Sequence, residues 1–197
     1  CDNNITLAAG LAYGTIGGGY GNEVTANSAV IGGGNYNTAS GTYATIGGGL
    51  YAVASLYGQA AQASGRFSAA GDAQRSDLTA RILTTDATPA ELFLDGVDDR
   101  LVIPVSTSWL FEIRVIARQT NGGFAVNGYL TTGIISRDAG NAGIIIQAQT
   151  DWDTEGSTWD FVVSADTANQ SLKLLATGAA GIDINWVASI HLVQTTG

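Results

Sequence analysis

Val30-Ile31-Gly32-Gly33-Gly34-Asn35-Tyr36-Asn37-Thr38-Ala39-Ser40-Gly41-Thr42-Tyr43-Ala44-Thr45-Ile46-Gly47-Gly48-Gly49 is the stretch from which the fold can be read. Its Ile-Gly-Gly-Gly motif stands at Ile16–Gly19, Ile31–Gly34 and Ile46–Gly49, fifteen residues apart both times. The flanks keep register. Thr15, Val30 and Thr45 precede the isoleucines, Gly14, Ala29 and Ala44 precede those, and Asn22 and Asn37 follow the first two triplets at equal distance. A unit this short cannot fold alone, so copies must stack on one another as coils of a solenoid. Three adjacent glycines would each cost a helix about 1 kcal/mol relative to alanine. The apolar positions also lack a helical step, whereas β-branched Thr, Val and Ile suit a short strand. The isoleucines are therefore expected to form a ladder. The glycines fit turns with positive φ or places where another backbone comes close. Asparagine tolerates the same left-handed geometry.

Outward from the repeat, the composition changes along the chain. Residues 1–72 hold 16 of the 27 glycines but only four charged side chains, Asp2, Glu23, Arg66 and Asp72. The remaining residues hold all four tryptophans and both prolines. The change falls at Gly71-Asp72-Ala73-Gln74-Arg75-Ser76-Asp77, a polar run without apolar periodicity, as expected where two folding units meet. Residues 1–72 are read as the repeat domain, 73–77 as a linker and 78–197 as a second domain. The fourth copy breaks the period: Ser64-Gly65-Arg66-Phe67-Ser68-Ala69-Ala70-Gly71 echoes Ser40 to Gly47 at an offset of 24. The nine extra residues are expected to form a loop or a closing coil.

With 197 residues, 45% hydrophobic and 13% charged, the chain lacks the signature of disorder. Eight basic and seventeen acidic side chains give a net charge of −9, which repels nucleic acid and anionic membrane surfaces. No apolar run is long enough to span a bilayer as a helix, and no signal-peptide pattern opens the chain. Beginning at Cys1 without a methionine, the chain is expected to be a piece of a longer one.

Beyond Leu78, apolar and polar residues alternate in short runs. Strands are expected at Leu78 to Thr84, Glu91 to Leu94, Leu101 to Val105, Leu110 to Arg118, Phe124 to Ser136, Gly143 to Gln149, Thr158 to Ser164, Ser171 to Ala176 and Ile184 to Gln194. Turn residues separate them, among them Asp95-Gly96, Asn121-Gly122-Gly123, Glu155-Gly156 and Ala180-Gly181. So many short strands without a helical period predict an antiparallel β-sandwich or jelly roll, and an all-β chain overall.

The Val30 to Gly49 run resembles the head repeats of trimeric autotransporter adhesins of the YadA type, and the same repeats in phage tail fibres. That resemblance covers roughly residues 5–72 and implies a left-handed parallel β-roll of three chains around one axis. Leu83-Thr84-Thr85-Asp86-Ala87-Thr88-Pro89, together with Trp186-Val187-Ala188, resembles a C-terminal module of phage structural proteins. Together the resemblances imply a virion protein, the distal part of a tail fibre acting outside the cell at the host surface. The implied partners are two sibling chains, other tail or baseplate proteins on the N-terminal side, and a host surface glycan or lipopolysaccharide. A bacterial adhesin head, a capsid decoration protein and a polysaccharide depolymerase are the alternatives.

Few residues suggest chemistry, and no enzyme activity, catalytic residue, metal or cofactor is expected. The glycine triplets are not followed by Lys-Ser or Lys-Thr, and the lone Lys173 lies far away, so a repeat turn accounts for them better than a nucleotide loop. The single histidine, His191, supports neither a multi-histidine metal site nor a catalytic triad, and reads as a solvated strand residue. Asp151-Trp152-Asp153-Thr154-Glu155-Gly156 resembles the first half of a calcium loop, but Val162 stands where the bidentate glutamate belongs, leaving an acidic turn. Asp95, Asp98 and Asp99 form a second acidic turn. Carboxylate pairs could hydrolyse a glycan only at the right separation, which sequence does not measure. Trp152 and Trp159 flank the longer turn, where an aromatic face beside oxygen acceptors suits a sugar ring. Asp151, Trp152, Asp153, Glu155 and Trp159 are thus the candidate receptor-binding residues.

Overall fold

The computed structural model describes residues 3–6, 13–153 and 158–197. The described chain is all-β, its strands arranged in several sheets with no helix among the described residues. Two compact units emerge, the first comprising residues 1–78 and 191–197, the second residues 79–190.

The first unit turns the fifteen-residue spacing into two parallel ladders. Thr15–Ile16 (β2), Val30–Ile31 (β4), Thr45–Ile46 (β6) and Ala60–Gln62 (β8) pair in parallel, with Thr15 opposite Val30 and Val30 opposite Thr45. Asn4–Ile5 (β1), Glu23–Val24 (β3), Thr38–Ala39 (β5) and Val53–Ala54 (β7) form the other. Because β2 to β8 alternate between the ladders, the chain visits each once per repeat and returns one rung on. Ile31, Ile46, Val24, Ala29, Ala39, Ala44, Ala52 and Ala54 are fully buried between them. This interior is mostly alanine, with Val24, Ile31 and Ile46 as its larger side chains.

Glycine also lets successive rungs of the stack come close. A Cβ at Gly17 would stand 2.5 Å from the Gly32 carbonyl oxygen, and one at Gly32 equally close to that of Gly47. The asparagine column does something other than the expected left-handed turn. Asn37 donates through Nδ2 to the carbonyls of Gly33 and Gly49 at 3.2 and 3.1 Å, and its Oδ1 accepts the Ala52 N–H at 2.9 Å. One rung back, Asn22 Oδ1 accepts the Asn37 N–H at 3.1 Å, and Nδ2 donates to Gly34 at 2.7 Å. Both asparagines are fully buried, so each ties neighbouring rungs through groups that water does not reach.

Left-handed backbone falls partly on tyrosines instead. Tyr13, Ser28, Tyr43 and Gly58 share one column and all have φ between 56 and 77°. Gly21, Tyr36 and Tyr51 share another, at 64, 55 and 62°. In the second column the Tyr36 and Tyr51 rings stack at 5.1 Å, Tyr20 meets Tyr36 edge-on at 5.5 Å, and Arg66 covers Tyr51 at 3.8 Å. Stacking of this kind contributes about 0.5–1.5 kcal/mol per pair, comparable to the cost of the left-handed backbone.

The break in period has a structural cause. Residues 65–72 reverse the chain, and Ala73–Thr84 (β9) runs antiparallel to β8, with Gln62 opposite Arg75. The segment 73–77, expected as a linker, is therefore the start of a strand. The buried Asp72 carboxylate clasps the reversal, accepting the N–H groups of Phe67, Ser68 and Ala69 at 2.9, 2.6 and 2.7 Å. Burial pushes its pKa up, but these bonds and the Ser68 hydroxyl outweigh that and hold it below the ordinary carboxylate value. The chain end also belongs here: Gln194 Nε2 donates to Gly71 O at 2.6 Å, and the Thr196 N–H to Asp72 O at 3.1 Å.

In the second unit all nine expected strands appear, with shifted ends. Ala142–Asp153 (β14), Val126–Arg137 (β13), Thr107–Gln119 (β12), Ile184–Thr196 (β17) and β9 are hydrogen-bonded neighbours in that order. Ser171–Thr177 (β16) pairs antiparallel with Ala90–Glu91 (β10), Leu101–Val102 (β11) and Asp160–Asp166 (β15). Alternation sends Trp109, Phe111, Ile113, Trp186 and Ile190 inward from the first sheet, and Phe161, Leu172 and Leu174 inward from the second. Tyr129 lies 6.0 Å from Trp186 and 5.7 Å from Phe161, ring to ring.

Candidate functional site

β14 is an edge strand held by β13, and its pairing decides where the candidate residues point. Asp151 stands opposite Tyr129 and Trp152 opposite Gly128. Successive side chains leave opposite faces of a strand, so Asp151 shares the side of the buried Tyr129 while Trp152 lies on the outer face. Asp151, Trp152 and Asp153 thus belong to a strand rather than to the expected turn.

Trp152 is half exposed, and Gly128 gives its indole room: a Cβ there would touch Cε3 at 3.5 Å. The next residue across the outer face is Ile116, opposite Gly128 and also half exposed. One row along lie Thr150, Leu130 and Arg114, and beyond them Ala148, Thr132 and Glu112. Arg114 and Glu112 form a 2.6 Å ion pair on this face. The outer face therefore offers an indole, aliphatic neighbours and a fixed pair of charges. Such a surface can pack the apolar face of a sugar and hydrogen-bond its hydroxyls.

Trp159 is elsewhere. It is buried 6.2 Å from the Trp186 ring, and its carbonyl accepts the Tyr129 hydroxyl at 3.1 Å. Its ring is not open to a ligand, and it does not join Trp152. Glu155 lies outside the described residues, as do the rest of the calcium-loop-like segment at 154–157 and Cys1.

The second acidic turn is closed on itself. Asp95 Oδ1 accepts the N–H groups of Val97, Asp98 and Asp99 at 2.8, 3.0 and 3.0 Å. Burial raises its pKa but these bonds prevail and lower it, whereas burial and its acidic neighbours raise that of Asp99. Among the described residues, no group of three His, Cys, Asp or Glu side chains is placed to hold a metal ion. His191 meets Asp77 at 2.6 Å on the surface of the first unit. The sequence reading passed over Phe67, which is 79% exposed. A large apolar residue amid Ser, Gly, Arg and Ala was the available signal.

No family model matches the chain, and no curated protein does so. Among solved structures, the tailspike protein gp49 of Acinetobacter baumannii bacteriophage Fri1, described as a capsular polysaccharide depolymerase, aligns with 86% of this chain and 39% of its own at 9% identity and a TM-score of 0.31. The Acinetobacter baumannii phage AM24 tailspike aligns with 87% and 42% at 4% identity and 0.32. The Acinetobacter phage vB_ApiP_P1 tailspike aligns with 89% and 40% at 13% identity and 0.26. The chain spans about two fifths of these proteins. Scores of this size transfer no activity to it.

Proposed function

We propose that this chain is a non-enzymatic component of a phage tail fibre that attaches the particle to its host. In this reading the first unit is a left-handed β-roll that assembles as a homotrimer, and the second a β-sandwich that meets a surface glycan or lipopolysaccharide. The observation that carries it is the parallel register of the fifteen-residue ladders, with glycine and asparagine columns locking each rung to the next. Such a stack is stiff, as a stalk must be, and its thin interior gives three chains reason to share buried area. Three copies of a weak site on one stalk gain avidity without any strong single contact. Trp152 and its outer-face neighbours are the proposed contact on the second unit.

Light scattering of the purified protein should give three times the 20.1 kDa chain mass. Labelled protein should bind intact host cells and release no oligosaccharide from their capsule or lipopolysaccharide. A monomer that binds no cells would refute the attachment role, and released oligosaccharide would make the chain a depolymerase.

A further inference from the structure

The first unit carries a second surface suited to a ligand. A groove of about 560 Å³ runs between Gln62, Phe67, Arg75 and Val193, within the size range of small-molecule sites. Phe67 presents its ring to solvent while its own N–H is clamped by Asp72, so the ring is displayed from a fixed backbone. Arg75 is held as well: its Nε donates to Gln62 Oε1 at 3.0 Å, and its Nη2 donates to the same oxygen. On the far side of this Gln62–Arg75 pair lies another groove of about 320 Å³, lined by Thr45, Gly47, Gly48 and Asp77. Gly47 and Gly48 have nothing within 4 Å of where a Cβ would stand, so bare backbone floors it.

We propose that these grooves form one binding track for an acidic oligosaccharide, with a sugar face on Phe67 and a carboxylate on Arg75. This rests on the attachment role proposed above. Two grooves sharing one residue pair fit a chain-like ligand better than a compact one. Charge selects its class, since Arg75 lines the same groove as the exposed ring in a protein of net charge −9. A guanidinium in fixed orientation suits a carboxylate, which it can grip through parallel N–H donors. Asp77 at the other end repels an acid group, which places the carboxylate in the Phe67 groove.

The test is calorimetric titration of the whole purified chain with an oligogalacturonate hexamer and with maltohexaose, its neutral counterpart. The uronate should bind at least tenfold more tightly than the neutral sugar. Phe67→Ala and Arg75→Gln should each weaken it at least tenfold, and Val97→Ala, an exposed position in neither proposed contact, should leave it unchanged. Both side chains are exposed, so these variants should keep the parent circular dichroism; if Arg75→Gln does not, Phe67→Ala decides alone. Absent uronate binding, equal binding of the two sugars, or indifference to the substitutions overturns the proposal. So does a fall in assembly mass on Phe67→Ala, which would give the groove to another copy of the chain. If cells are still bound while uronate is not, this track alone fails; if no cells are bound, the attachment role fails first.

Discussion

Two adjacent glycines of one triplet should respond in opposite ways to the same added methyl group. At Gly34, φ is +86°, and a Cβ would stand 2.2 Å from Gly49 O and 2.7 Å from Gly49 N. Ordinary contact needs about 3.5 Å, so the facing backbone must retreat by about 1 Å. It is not free to do so, because Gly49 O accepts the Asn35 N–H at 2.9 Å and Asn37 Nδ2 at 3.1 Å. The left-handed conformation costs alanine about 1–2 kcal/mol. Overpacking adds about 1–3 kcal/mol, and each strained hydrogen bond up to about 1.5 kcal/mol. Gly34→Ala should therefore destabilise by about 3–6 kcal/mol, which for a chain of this length lowers the melting temperature by about 6–24 °C. At Gly33 nothing lies within 4 Å of the Cβ position and φ is not left-handed. Gly33→Ala should be neutral or stabilising by up to about 1 kcal/mol, through the unfolded chain. Scanning calorimetry of both variants beside the parent measures the difference. Melting temperatures agreeing within about 2 °C would refute close rung packing as the source of the triplet.

Tyr51 should reverse the usual order of substitutions: Tyr51→Ala loses the Tyr36 stack and the Arg66 contact yet keeps φ at 62°, whereas Tyr51→Gly sheds the strain. Urea denaturation should find the glycine variant more stable by about 1 kcal/mol, and an alanine variant at least as stable would contradict this account. The two candidate tryptophans should separate, with Trp159→Ala costing about 3–5 kcal/mol in the same assay. Trp152→Ala should change stability by no more than about 0.5 kcal/mol while weakening attachment to cells, and the opposite pattern would exchange their roles. Acid should open the reversal at 65–72. The folded pKa of Asp72 lies below its unfolded value, so its stabilisation is complete above about pH 4 and is lost as pH falls through the folded pKa. Hydrogen exchange at the Ser68 and Ala69 amides, corrected for intrinsic rates, should accelerate there in the parent, and Asp72→Asn should abolish the pH dependence.

The repeat made the parallel ladders legible because both depend on one number, the spacing between equivalent residues. The left-handed tyrosines were hidden by a rule that gives such backbone to glycine and asparagine. The signal was nevertheless present, since Gly21 stands one repeat from Tyr36, and Gly58 one repeat from Tyr43. A glycine in a column reports the backbone of the whole column. Trp159 reads as a ligand platform because polar Ser157, Thr158 and Asp160 surround it beside the acidic turn, although Trp159, Phe161 and Val163 alternate toward one buried face. The end of β14 was unreadable for a different reason. From Thr150 to Asp153 the only apolar side chain is Trp152, among acidic residues that read as a turn, and the strand stays extended there because β13 supplies its hydrogen-bond partners.

Parallel stacking creates a difficulty that the sequence resolves with the nine residues breaking the period. Each rung leaves unpaired N–H and C=O groups for the next, so a ladder that simply stops presents an open edge to any other strand. A fifth copy would only move that edge. Reversing direction after β8 lets the antiparallel β9 satisfy it from within the chain. The reversal also requires a tight loop, and Asp72 supplies its clasp. The same departure from the repeat brings Phe67 to the surface and sets Arg75 opposite Gln62. What ends the ladder thus also builds a place on the first unit where an aromatic face and an oriented cation line one groove. On the preceding rungs the aromatic rings of Tyr20, Tyr36 and Tyr51 are engaged with one another or with Arg66, whereas the Phe67 ring is left open to a ligand.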